Sequence, residues 1–408
     1  MKAATARGLV LLAASTSLLV GGVLATGCSS ASGGGDESTG TATSGALSVI
    51  DPALAAAATV NADNVSFPAS SMSALSAHKA GDVIVSPAVD GSAGNTTGFL
   101  RKITGTSMQG DQLVVTTEQA ALTDVVAEGE AHPAFNLPGD WNVVDLGEET
   151  IASRVTSLSA VDASLTSNEL TIDAKLDSAH VELKPDLDFT MAFKDWSLST
   201  AHFSATGTVD ATAAVEMDVK VSGTVSSAGL AALQGYTAKV SKRLWSSGSY
   251  PLPTFYIGAI PVSMSVEMYM NAICWVNFKG YTGGELSLKA SAKASATVDG
   301  AIDYASGTWT PSDNASVSGS GTVTLPDSAT EDAICQVGPS FALSLYGAGG
   351  PELGVTAGLN VDSLAKSWNA KADVRAWVQG TVDILGYKDS FGPYTLYDYL
   401  GPQFASGT

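Results

Sequence analysis

The sequence predicts an all-β fold: a small amino-terminal β-rich domain over residues 46–135, then a large antiparallel β-sandwich or flattened barrel with long strands over residues 136–408. Three observations carry that prediction. Apolar residues alternate with polar ones over long runs, the signature of a strand with one buried face. Gly-containing turns separate the runs, at Ser247-Gly248, Thr282-Gly283-Gly284, Ser306-Gly307 and Ala348-Gly349-Gly350. Many side chains along the stripes are Ala or Val, small enough for two sheets to approach closely.

The amino-terminal domain shows short blocks at 64–67, 82–86, 98–104 and 112–117, with a polar turn at Gln109-Gly110-Asp111. Residues 118–126 read as a short helix beginning near Thr117. The segment 133–138 connects to the larger region, where Trp141, Val143 and Leu146 join a core.

In the larger region, Val209, Ala211, Ala213, Val215, Met217, Val219 and Val221 form one stripe, opposed by Asp210, Thr212, Ala214, Glu216, Asp218 and Lys220, with only Ala214 breaking the polar pattern. Thirteen such residues extend about 43 Å as one strand. Val262, Met264, Val266, Met268 and Met270 share a second apolar face, with Ser263, Ser265, Glu267 and Tyr269 on the wet side. A third stripe runs from Leu286 to Val298, where Lys and Ser at every second place argue for a strand despite the alanines. Further strands are expected at 186–193, 196–205, 316–324, 340–345, 354–361 and 373–384. Helices are expected at 227–240 and around 361–370.

The leader carries Lys2 and Arg7, an apolar run from Leu9 to Leu24, and small residues before Cys28. This arrangement resembles a bacterial lipoprotein signal, although Ala25 stands where Leu is commonest. The resemblance implies removal of residues 1–27 and lipidation of Cys28. Residues 28–45 then read as the lipidated cysteine followed by a Gly/Ser/Thr tether with almost nothing to bury. The expected location is the cell envelope, with the chain held to the membrane through its amino-terminal lipid. Ser29 leans toward the outer membrane of a Gram-negative bacterium, facing the periplasm or the exterior.

With Cys28 assigned to lipid, Cys274 and Cys335 are left to pair as a structural disulfide, which an exported location permits. The charge balance, 40 acidic against 20 basic residues for a net charge of -20, disfavours nucleic acid as a partner. No cofactor motif appears. None of His78, His132, His180 and His202 stands in a His-Glu-x-x-His arrangement, and no Gly-rich phosphate loop precedes a helix. Gly105 to Gly110 is one residue too long for a nucleophile elbow. Asp186 and Asp188, beside Glu182 and Asp195, are the one carboxylate group suited to acid–base or calcium chemistry, and a solvated strand face accounts for them as well.

Aromatic residues suggest a ligand platform, made either of Trp245, Tyr250, Phe255 and Tyr256 or of Trp275, Phe278 and Tyr281. Met217, Met264, Met268 and Met270 would suit a soft interior around an acyl chain. The leading expectation is a non-enzymatic envelope lipoprotein with an adhesion, scaffolding or ligand-binding role, its partner a cell-surface protein or glycan. The alternatives are a carrier of a hydrophobic ligand in a β cavity and a carbohydrate-binding or carbohydrate-active β-sandwich.

Overall fold

A computed structural model describes residues 46–133, 137, 143–158, 168–278, 285–324, 332–364, 367–381, 385 and 390–407. The leader, Cys28, the tether, Trp141, Tyr281 and the turn at 282–284 lie outside these residues.

The fold is almost entirely β, as the alternation requires. The amino-terminal strands are β1 (Leu47–Val49), β2 (Thr59–Val60), β3 (Asn64–Pro68), β4 (Val83–Ser86), β5 (Phe99–Gln109) and β6 (Gln112–Gln119). They form one sheet in the order β1-β4-β5-β6-β3-β2. Two short helices, α1 (Pro52–Ala57) and α2 (Met72–Leu75), contribute Ala55 and Leu75 to a core with Val65, Phe67, Ile84, Phe99 and Val115. The other face presents Val83, Val85 and Leu100 to the main core. The helix expected at 118–126 is only a 3-10 turn at Leu122–Asp124, because β6 runs on to Gln119; the Asp124 carboxylate accepts from the Ala121 amide.

A long sheet follows, built on β7 (Gly129–Ala131), β8 (Val143–Leu146), β9 (Glu149–Ser157), β10 (Glu169–Lys194) and β11 (Ser197–Val221). β7, β8 and β9 pair successively along one edge of β10. β10 has 26 residues, about 85 Å at strand rise. It turns into β11 at Asp195 and Trp196, whose φ angles of 52° and 60° give the left-handed two-residue turn that suits a twisted hairpin. The separate strands expected at 186–193 and 196–205 are thus the turn-proximal ends of this hairpin.

The helix expected at 227–240 is shorter. α3 (Ser227–Gln234) starts where the Ser226 hydroxyl accepts from the Gly229 amide and stops at Gly235. Ala238 and Val240 instead alternate into the core from β12 (Thr237–Pro251). After the β13 (Phe255–Ile257) and β14 (Ile260–Val262) ribbon comes β15 (Met264–Asn277). The chain then returns to the long sheet as β16 (Glu285–Ala305) and β17 (Thr308–Thr324), joined at Ser306-Gly307 as the sequence predicts. It comes back beside β15 as β18 (Asp332–Leu345), followed by β19 (Pro351–Leu364), β20 (Ser367–Thr381) and β21 (Ser390–Gly407). No helix forms at 361–370: Val361 pairs with Ala370 across the β19–β20 hairpin. Ser247-Gly248 is likewise no turn but a bulge inside β12, with Gly248 at a φ of 72°.

The second large sheet has the order β12-β15-β18-β19-β20-β21. Its apolar face and that of the long sheet enclose one continuous core, to which Met217, Met264, Met268 and Met270 belong, each at most 2% exposed. Cys274 and Cys335 are direct cross-strand partners, 4.2 Å apart between Cα atoms, and are joined by a disulfide.

Candidate functional site

The outward face of the second sheet is polar and concave. Register places residues side by side on it: one level reads Ser249, Glu267, Ala342, Glu352 and Gln379 across five strands. The next reads Tyr269, Ser340, Gly354, Trp377 and Thr395. A further level holds Lys239, Trp275, Ile334, Asn360 and Lys371.

Contacts across this face measure its curl. Arg375 on β20 and Trp275 on β15 are three strand spacings apart, about 14 Å on a flat sheet. The Arg375 guanidinium nevertheless sits 4.6 Å from the Trp275 ring centre. Arg243 on β12 likewise reaches Glu352 on β19 at 3.6 Å. Curling also buries polar groups on this face: Gln336, Ser340, Thr356 and Asp373 are at most 1% exposed, although the apolar core lies on the opposite side. Gly354 is required where Trp377 lies down, since a Cβ there would stand 2.3 Å from the indole ring.

The buried groups satisfy one another, as burial demands. Thr356 donates to the Gln336 carbonyl at 2.9 Å, and the Gln336 amide donates to Asp373 at 2.8 Å. Burial, with Asp398 nearby, pushes the Asp373 carboxyl up to about 6. Asn271 donates to Ser340 at 2.9 Å, Ser340 to Glu352 at 2.7 Å, and Gln379 to the other Glu352 oxygen at 3.1 Å. Ser246 donates to Glu267. The Arg243 guanidinium lies 3.3 Å from the Tyr269 ring centre, while burial and the hydrogen bond to Glu267 push the phenol up to about 12.

Three cavities line up along the groove. The first, about 650 Å³, is walled by Glu267, Tyr269, Glu352, Gln379, six Ser and Thr hydroxyls and several glycines. The second, about 420 Å³, shares Glu352 and Gln379 with it and adds Arg243, Trp275, Arg375 and Trp377. The third, about 330 Å³, shares Trp275 and ends at Asp332, Asp362 and Lys371. Such a lining offers donors and acceptors at close intervals beside apolar ring surface.

Of the described aromatic residues that the sequence suggested as a platform, Trp275 alone lines these cavities. Phe278 is 1% exposed and stacks on Tyr236 within the core. Trp245 pairs with Met270 and packs against the core side. Tyr250 is 38% exposed near the end of β12, opposite Val266, and Tyr256 is exposed on the β13–β14 ribbon. Asp186 and Asp188 stand exposed on the outer face of the long sheet, and Asp195 occupies its hairpin turn. His180 and His202 are not brought together. Each is hydrogen-bonded to a carboxylate on that face, His180 to Asp145 at 2.6 Å and His202 to Asp303 at 2.7 Å. Among the described residues no group of three or more metal-ligating side chains converges.

Comparison with known protein families, curated proteins and solved structures finds no match to this chain.

Proposed function

We propose that this chain is a lipid-anchored, non-enzymatic binding protein of the bacterial cell envelope, which holds an extended, hydroxyl-rich ligand such as a surface glycan in the groove of its curled sheet. The observation that carries this reading is the line of three cavities on one concave face, with Trp275 and Trp377 among closely spaced hydroxyl, carboxamide and charged groups. Ring faces suit the apolar faces of sugars, and the polar groups between them suit their hydroxyls. The lipid-anchor part rests on the leader and Cys28, with the acidic, well-solvated exterior in keeping with an exported chain.

Calorimetry of the purified full-length chain against a panel of oligosaccharides tests the binding reading. Binding of at least one member, weakened about tenfold or more by Trp275→Ala, is the expected outcome, and no binding across the panel overturns it. Cleavage products after prolonged incubation would overturn the non-enzymatic part. Intact mass after membrane extraction is expected to show a diacyl or triacyl addition on an amino-terminal Cys28; an unmodified chain would remove the anchor.

A further inference from the structure

The first cavity differs from the second in charge. Among the described residues its lining carries two carboxylates, Glu267 and Glu352, and neither Lys nor Arg. Arg243, which pairs with Asn271 two levels away, reaches Glu352 at 3.6 Å and balances it, and Ser340 and Gln379 hold it. Glu267 is held by the hydroxyls of Ser246 and Tyr269, and among the described residues no cation lies within ion-pair distance of it. Among the described residues it is therefore an oriented anion without an ion-pair partner, on the wall of a cavity that also carries Glu352, Gln379, Ser and Thr hydroxyls and glycines. Only Ala342 separates it from Glu352 along that level, which leaves open space between the two. A chain with a net charge of -20 also attracts cationic ligands and repels anionic ones.

We infer that the first cavity takes a hydroxyl-rich ligand bearing a positive charge, an amino-sugar unit whose ammonium sits against Glu267. This deepens the glycan reading and rests on it. Two hydroxyl donors use part of the Glu267 acceptor capacity and leave the remainder for an ammonium. The surrounding Ser and Thr hydroxyls both donate and accept, which matches sugar hydroxyls of either role.

The test compares a glucosamine tetramer with a glucose tetramer on the full-length chain, at about pH 6, where amines are protonated. The amino tetramer is expected to bind at least tenfold more tightly, with the difference shrinking as salt rises. Glu267→Gln should remove that preference, whereas Asp145→Asn, on the wet face of the long sheet and outside the groove, should leave it intact. Ala342→Leu, which fills the gap and keeps both carboxylates, should abolish binding of both. Equal binding of the two tetramers overturns the inference and leaves the glycan reading standing. Failure of both tetramers to bind, with other glycans bound normally, also overturns it, whereas failure across all glycans removes both readings. An oligolysine of matched charge that binds as tightly, with the same dependence on Glu267, overturns the sugar assignment in favour of a cationic peptide.

Discussion

The two large sheets share one rule on their inner faces and differ on their outer ones. In both, every second residue enters the common core. On the long sheet the alternate residues meet water: Glu182, Asp186 and Asp188 are exposed, and the histidine–carboxylate pairs stand on the surface. On the curled sheet the corresponding residues fold over one another until Gln336, Ser340, Thr356 and Asp373 are as buried as the core. The same two-residue period therefore produces a solvated wall in one place and a lined groove in the other. Curvature makes the difference, and curvature comes from how neighbouring strands approach, as at Gly338 and Gly358, where a Cβ would come within about 2 Å of backbone oxygens of β19 and β18.

Breaking the curled sheet's covalent link is the largest test. The disulfide closes a 61-residue separation, and its removal by Cys274→Ala with Cys335→Ala should cost about 4 kcal/mol in denaturant unfolding. A loss under about 1 kcal/mol would mean that strand pairing alone fixes β15 against β18.

Asp373 comes next. Its folded pKa of about 6 lies above the ordinary carboxyl value of 3.8, so the folded state holds the proton more tightly than the unfolded one. Its contribution is complete below about pH 4 and is lost as pH rises through about 6, to the extent of roughly 3 kcal/mol. Asp373→Asn should flatten this part of the stability profile between about pH 4 and 7. An unchanged profile would place the titration elsewhere.

Gly354→Ala should cost about 1–3 kcal/mol by driving Trp377 off the sheet, whereas Gly105→Ala, with nothing within 4 Å, should change stability by less than about 0.5 kcal/mol. Equal effects at the two sites would argue against the close packing of indole on backbone. The smallest effect belongs to the long sheet's wet face. Hydrogen bonds donated by the His180 ring to the carboxylates of Asp145 and Glu182 hold its pKa above 6.5, and Asp145→Asn should lower it in an NMR titration while leaving the groove's binding untouched.

Much of the architecture was legible because alternation is a local property. The stripe from Val209 to Val221 and the facing of Glu267 and Tyr269 away from Val266 and Met268 follow from period two alone. Strand lengths were less legible. Pro185 pairs with Gly207 in mid-hairpin, and two residues that usually end strands here sit inside one ladder. The three misjudged helices failed for separate reasons: β6 runs on to Gln119, 237–240 is drawn into a ladder with the distant β15, and 361–364 pairs with 367–370 across the β19–β20 hairpin. The groove was the least legible part. Trp275 was visible as an aromatic residue, but Arg243, Glu352, Arg375 and Trp377 come from three other strands, and their meeting depends on register and curl.

The chain's route has a consequence for how the molecule comes into being. Leaving the curled sheet after β15, it supplies two strands to the long sheet before β18 returns to lie beside β15. Neither sheet is complete while the other is missing, so no cut between residues 170 and 345 can release a self-sufficient half. Synthesis from the amino terminus leaves Cys274 as an unpartnered thiol until the β16–β17 hairpin has been made and Cys335 has followed it. Closure of that bond therefore reports that both sheets have been threaded together, and its appearance over time would serve as a clock for the interleaving.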